Sequence, residues 1–346
     1  MTPSIVLGLE LAYWQETTIR VLLGLVALLL LTGGVVYLYL FKFVSFMQSR
    51  LGPMEAGPYG SLQLLAEVGK WLQKEDITTE NADKTVFRLA PAIVLASTFV
   101  MFAVIPAGPN AVVADLGTGI YFVLAMSSLS VLGILMAAWA SANKYALLGG
   151  LRAAGQLIAY ELPLVLAVVG VVIAAESLNL QDIVRAQAEG EIFGWGGIGN
   201  PFILTQIVGF TVFLIAVQAE LTQTPFDMPI AESELVTGYL TEYSGMRFLL
   251  FFIAEFASAG ALAALAATLF LGGWSIPGVD LDNNLMNVVG PLVLFAKAMI
   301  IAFLFFWARF TLPRFREDQL QQLAWKGLIP IALLNIMVTA VLKVAF

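Results

Sequence analysis

The sequence predicts an all-α integral membrane protein: eight transmembrane helices, plus an interfacial amphipathic helix in the first inner loop. Three observations carry this reading. Of the 346 residues, 60% are hydrophobic and only 12% charged, against about a quarter charged in an ordinary soluble domain, and mean hydropathy is +0.90. Charge-free stretches such as 21–41, 89–114, 116–143 and 192–219 each reach the roughly 20 residues that cross a bilayer. Their length and lack of period-two alternation suit helices rather than barrel strands.

Spans are expected at about 21–46, 87–106, 117–140, 153–175, 202–221, 248–271, 288–308 and 327–345, with 1–346 forming one membrane domain. Met1–Thr18 holds no Lys or Arg, so a basic signal-peptide n-region is missing and the first hydrophobic segment is expected to stay as helix 1. With both termini outside, thirteen of the seventeen Lys and Arg residues fall on inner segments and three (Arg20, Arg185, Lys343) on outer ones, Lys297 lying within a span. That asymmetry sets the expected orientation, in a bacterial cytoplasmic membrane. The long inner loops are then 47–86, 141–152, 222–247 and 309–326. In the first of them Leu62, Leu65, Ala66, Gly69 and Leu72 share one helical face while Gln63, Glu67, Lys70 and Lys74 share the other, the pattern of a helix lying in the interface or packed beneath the bundle.

The chain has no Cys and no His. Thiolate-bound clusters, disulfides and the usual haem ligand are excluded, so no cofactor or metal is expected on this chain and proton chemistry must run on carboxylates, Lys, Tyr and water. The net charge of −7 carries no basic nucleic-acid footprint. Gly194-Trp-Gly-Gly-Ile-Gly199 matches a dinucleotide-binding pattern but falls in an outer loop without the βαβ context, and reads as a turn.

Charges inside spans say more, because a charge in lipid costs at least about 2.5 kcal/mol. Glu161 and Glu255 interrupt helices 4 and 6, Glu220 closes helix 5, and Lys297 sits near the middle of helix 7. Three carboxylates on helices 4, 5 and 6 at comparable depth form a candidate proton path; structural pairing with Arg or Lys is the plainer alternative. After helix 5 the loop carries Asp227, Glu232, Glu234 and Glu242 with Arg247 as the local counter-charge. Interleaved apolar residues such as Phe226, Met228 and Leu235 argue against a fully solvated acidic loop.

Arg50-Leu-Gly-Pro53, Gly57-Pro-Tyr-Gly60, Trp139-Ala-Ser-Ala-Asn-Lys-Tyr145, Tyr160-Glu161, Thr224-Pro-Phe-Asp227, Ala231-Glu-Ser-Glu-Leu-Val236, Thr241-Glu-Tyr-Ser-Gly245 and Leu312-Pro-Arg-Phe-Arg316 follow one another in order along the chain. With them the sequence resembles the H-subunit (mitochondrial subunit 1) family of respiratory complex I, the proton-translocating NADH:quinone oxidoreductase. The resemblance implies a membrane subunit that meets other membrane and peripheral-arm subunits and the lipid bilayer. Flavin and iron–sulfur clusters would lie in partner subunits, with quinone as substrate. It further implies that Glu161, Glu220, Asp227, Glu232, Glu234 and Glu255 begin a proton-coupling path. The quinone path would run along the end of helix 1, the interfacial helix and loop 222–247, lined by Glu67, Lys70, Asp227, Glu232 and Arg247 with Phe41, Phe46 and Phe226 as apolar contacts. The sequence departs from the family at Leu40-Phe41 (usually Glu-Arg), Thr222-Gln223 (Asn-Arg), Met54-Glu55 (Asn-Arg) and Glu67 (Asp); the loss of the charged pair at Leu40-Phe41 is expected to make the mouth more apolar. The corresponding subunit of a membrane-bound hydrogenase or ferredoxin-linked complex is the nearest alternative. A stand-alone transporter would instead show internal repeats and helices broken at mid-membrane.

Overall fold

The computed structural model describes residues 5–6, 9–10, 13–190, 199–277, 279 and 286–345. The glycine-rich pattern at 194–199 lies outside the described residues except for Gly199. The first described element is a two-residue antiparallel pair, β1 (Ile5–Val6) and β2 (Leu9–Glu10), which the sequence does not predict.

The rest is helical. The first span, α1 (Tyr13–Gly34), continues as a π-helical stretch, Val35–Phe43, and a last turn, Val44–Met47. The interfacial helix is α2 (Gln63–Gln73). Its predicted apolar stripe faces outward: Leu62, Leu65 and Leu72 are 52%, 68% and 61% exposed. The helix docks by its other residues, Leu64 against Gly33 of α1 and Trp71 stacked on Phe248 at 4.6 Å. Such a helix presents apolar side chains to whatever surrounds the bundle at this level.

Next come α3 (Lys84–Phe102), α4 (Gly119–Ala140) and α5 (Lys144–Ala175). The sequence places the start of the fourth span at 153. The helix instead begins at Lys144, because Asn143 caps it by accepting the Tyr145 amide at 2.8 Å, so the expected loop 141–152 is mostly helix. Asp83 caps α3 in the same way. Pro91 inside α3 has no N–H to give the Phe87 carbonyl; the Tyr243 hydroxyl donates to that carbonyl instead, at 3.1 Å.

The connection after α5 holds α6 (Leu180–Glu189). The fifth hydrophobic segment is interrupted: α7 (Phe202–Thr205) and α8 (Ile207–Glu220) meet at Gln206, whose backbone leaves the helical region. The Gln206 side chain fills the break, accepting from Asn335 at 2.8 Å and donating to Thr339 at 2.7 Å. Gly170 of α5 makes room for it, since a Cβ there would lie 2.9 Å from Gln206 Oε1. The loop after α8 contains the short helix α9 (Glu232–Leu235) and a 3-10 turn, Gly238–Leu240. The chain ends with α10 (Gly245–Phe270), α11 (Met286–Thr311), α12 (Glu317–Gln322), a π-helical stretch Leu323–Leu328, and α13 (Ile329–Ala345).

Among the described residues, seven of these stretches are long and apolar enough to cross a membrane; the segment ending in α8 is shorter. α10 lies at the centre. Its Ala254, Ala257, Ala261, Ala264 and Ala267 are buried, and small side chains let neighbouring helices approach closely where no water drives them together.

Lys297 has a structural role. Its ammonium donates to Leu271 O, at the C-cap of α10, at 2.7 Å and to Ser275 O in the turn that follows at 2.8 Å; a positive charge there also suits the helix dipole. Replacing it with Met leaves these carbonyls without their donor. We expect Lys297→Met to destabilise the fold by about 1–3 kcal/mol, read as a lower melting temperature of the purified protein in detergent; an unchanged melting temperature contradicts the capping role.

Candidate functional site

The connections that follow α1, α4, α8 and α11 all lie at one end of the bundle, and the charged residues singled out in the sequence, Lys297 apart, gather there or just inside it. They fall into three groups.

The first is internal. Glu220 at the end of α8, Glu255 of α10, Thr222 and Tyr239 from the loop, and Ser97 and Ser127 from α3 and α4 line a cavity of about 50 Å³. A water molecule needs about 10–15 Å³ of such space, so the cavity admits a few. Glu255 Oε1 accepts from Gln223 Nε2 at 3.4 Å and lies 3.6 Å from the Arg309 guanidinium. Among the described residues Glu220 Oε2 is buried without a hydrogen-bond donor. Glu161 of α5 accepts a hydrogen bond from Ser128 of α4, next in sequence to the cavity-lining Ser127. The Thr98 and Ser258 hydroxyls meet across the cavity at 3.0 Å. Carboxylates, hydroxyls and room for water alternate here inside an otherwise apolar bundle.

The second group is at the surface of the loop. Arg314 reaches Asp227 at 3.1 Å and Glu234 at 3.3 Å, and Arg152 of α5 reaches Glu234 at 2.6 Å. The hydrogen bond from Arg152 is the largest cause holding the Glu234 carboxyl below the usual carboxylate range; burial opposes it, and the charges of Arg314 and Arg152 add to it. Glu232 is exposed beside this cluster. Phe226 is not on an open wall: it is 3% exposed, edge-on to Tyr160 at 5.2 Å and tilted against Phe315 at 5.6 Å.

The third group joins α2 to the start of α10. Arg247 pairs with Asp76 at 3.1 Å, donates to Thr78 at 3.0 Å and lies over the Phe87 ring. The counter-ions to Asp227 and Glu234 are therefore Arg152 and Arg314, contrary to the expectation that Arg247 serves the acidic loop. The first turn of α10 directs Arg247 toward the 74–78 segment, which the Ser244 hydroxyl also ties down by donating to Glu75 O and accepting from Ile77 N. Glu67 accepts from Gln63, and Lys70 lies over Trp71. Phe41 is half-buried against the core, and Phe46 stands 63% exposed. Burial pushes the Tyr239 and Tyr243 phenols above their ordinary range, so both remain neutral hydroxyls.

Sequence reasoning misses Arg152, Arg309, Arg314 and Gln223, because which cation meets which carboxylate is decided by helix crossings. The hydroxyls of Ser127, Ser128 and Ser130 do leave a signal, a polar cluster inside the charge-free run of α4.

This is a polytopic helical membrane protein with a row of carboxylates at one end and neither His nor Cys to bind haem or clusters of its own. Residues 19–340 match the NADH dehydrogenase family, and the chain belongs to that family. It is 45% identical over 330 residues to the H subunit of the NADH-quinone oxidoreductase of Brevibacillus brevis, covering 95% of this chain and 94% of that protein. It is 46% identical over 337 residues to the H subunit of the same enzyme of Anoxybacillus flavithermus, covering 96% of each. Against an H subunit of the NADH-quinone oxidoreductase of Syntrophobacter fumaroxidans it is 47% identical over 325 residues, covering 91% of this chain and 92% of that protein.

The loop cluster makes a pH prediction. A carboxyl whose folded pKa is lowered adds stability above its ordinary pKa and loses it as pH falls through the lowered value. Glu234→Gln is expected to flatten the fall in melting temperature between roughly pH 5 and pH 3; parallel curves for native and variant protein contradict the pairing.

Proposed function

We propose that this chain is the membrane subunit of a complex I-type NADH:quinone oxidoreductase that walls the quinone path and carries the first carboxylates of the proton path. The names of its relatives support the enzyme class. The observation that carries the mechanistic part is the cavity in which Glu220 and Glu255 stand among hydroxyls, with Glu161 on Ser128 beside it. Without His, these carboxylates are the groups able to take up and pass on a proton inside the span, and hydroxyls and waters can relay between them.

The whole chain acts as one membrane domain, with the loop-rich end on the cytoplasmic side and both termini outside, following the charge asymmetry of the loops. Quinone approaches at that end, where Phe46 and the outward leucines of α2 offer apolar surface beside Glu67 and Lys70. An apolar surface beside polar groups suits an isoprenoid tail with a polar head. Asp227, Glu232 and Glu234 stand where the head group's chemistry would change the local charge, and Arg247 holds the wall by fastening α10 to the segment after α2. Other membrane and peripheral-arm subunits supply flavin and iron–sulfur clusters. Phe226, being core, supports the loop from behind.

Two measurements on the assembled complex in vesicles test this. Glu220→Gln keeps the side chain's shape and removes its titration; quinone reduction and proton transport should both fall about a hundredfold, the low side of a proton-transfer contribution of roughly 10²–10⁴. Native rates in a variant with Glu161 and Glu220 both replaced by Gln exclude the proton path. At the mouth, Phe46→Ala should raise the apparent KM for a long-tailed quinone several-fold with little change in kcat. Equal KM values for native and variant enzyme place the path elsewhere.

A further inference from the structure

The last turn of α11 and the residues after it touch both charge groups of the site. Arg309 lies in that turn, 3.6 Å from Glu255 Oε1 in the cavity, its guanidinium over Phe256 and Phe310. Five positions on, Arg314 holds Asp227 and Glu234 of the acidic loop. The next residue, Phe315, donates its amide to Pro225 O at 3.1 Å and sets its ring against Phe226. Among the described residues Glu255 meets one cation, Arg309, and one neutral donor, Gln223, which belongs to the same loop that Arg314 grips.

We propose that residues 309–315 form a strap that ties the charge state of the acidic loop to the carboxylate cavity, with Arg309 the positioning residue for Glu255. This rests on the proton-coupling reading of the cavity given above. Four residues separate the two arginines, and α11 runs on past Arg309 to Thr311, so the strap is short: a peptide spans at most about 3.6 Å per residue even when extended. When the carboxylate of Asp227 or Glu234 turns to a quinone head group, Arg314 loses a partner. The strap then shifts against the loop, and Arg309 shifts with it relative to Glu255. Two arrangements of Glu255 follow, one with both Arg309 and Gln223 and one with Gln223 alone. The loop and the cavity bias the same element, which is the physical requirement for coupling between them.

The experiment places the variants in the assembled complex, reconstitutes it into vesicles, and measures the quinone-reduction rate and the protons moved per quinone. Arg309→Gln is expected to lower turnover roughly tenfold, within the usual range of a coupling effect, and to lower the proton ratio. Arg309→Lys should keep most of both, because the contact with Glu255 at 3.6 Å is a single charge-to-charge approach rather than a bidentate fork. The double variant Arg309→Gln/Gln223→Arg, which returns a cation to the same carboxylate from the other side, should recover at least half of the loss; a merely structural arginine would not be replaced from a different element. Arg314→Gln, whose contacts are on the loop, should lower the proton ratio as well.

Native turnover and ratio in Arg309→Gln overturn the proposal, as does a double variant no better than Arg309→Gln or an Arg314→Gln change confined to the quinone KM. If Arg309→Gln fails to assemble, the double variant decides: restored assembly and turnover support the charge role, and continued failure refutes it. Glu255→Gln separates this proposal from the one beneath it. Native activity in Glu255→Gln means the cavity does not couple protons, whereas an inactive Glu255→Gln beside a native Arg309→Gln removes the strap alone.

Discussion

A carboxylate inside a membrane bundle survives only if donors, water or a cation meet it, and the architecture at the loop-rich end is arranged around that need. Desolvating an isolated ion costs several kcal/mol, more than most single contacts return. Glu255 is met by Arg309 and Gln223, and Glu161 by Ser128. Glu220 is left with a buried oxygen facing a cavity with room for a few waters. The three carboxylates are thus held with different degrees of satisfaction, and a proton path needs groups that are not all locked in one protonation state.

The same constraint governs the backbone. Each irregularity in a helix frees a carbonyl or amide that lipid cannot satisfy, and polar side chains from distant elements answer several of them: Tyr243 for Phe87, Lys297 for the end of α10, Gln156 for Ala219 and Phe226. The break at Gln206 is saturated in this way by Asn335 and Thr339, so its side chains form a closed cluster rather than an open ion site. The polar groups near the centre of the bundle therefore divide into those that hold the fold together and those that stand free in the cavity.

Much of this is legible in the sequence, and the limit is physical. Charge-free runs mark the spans, and an alternating face marks α2. Acidic residues at matching depths point to Glu161, Glu220 and Glu255, because a charge in an apolar run is costly and so stands out. The partners of those charges are hidden. Lys297 reads as one more buried ion, yet it caps a helix. Arg247 reads as the counter-ion of the acidic loop because it is near in sequence, yet it faces Asp76, while Arg152 and Arg314 arrive from other segments. The start of α5 lies earlier than the sequence suggests because the 144–152 segment is both charged and helical, and a charge ends an apolar run without ending the helix. Sequence distance is a poor guide to pairing wherever long helices bring residues 80 or more positions apart into contact, as Arg152 and Glu234 do.

If the cavity carboxylates change protonation as quinone is reduced, reduction-induced infrared difference spectra of the assembled complex, recorded in H2O and D2O, register it most directly. The expected result is a protonated-carboxyl band that appears or shifts on reduction, moves in D2O, and is lost in Glu220→Gln or Glu255→Gln. A difference spectrum with no carboxyl band, or with one that persists in both variants, contradicts proton uptake by these groups.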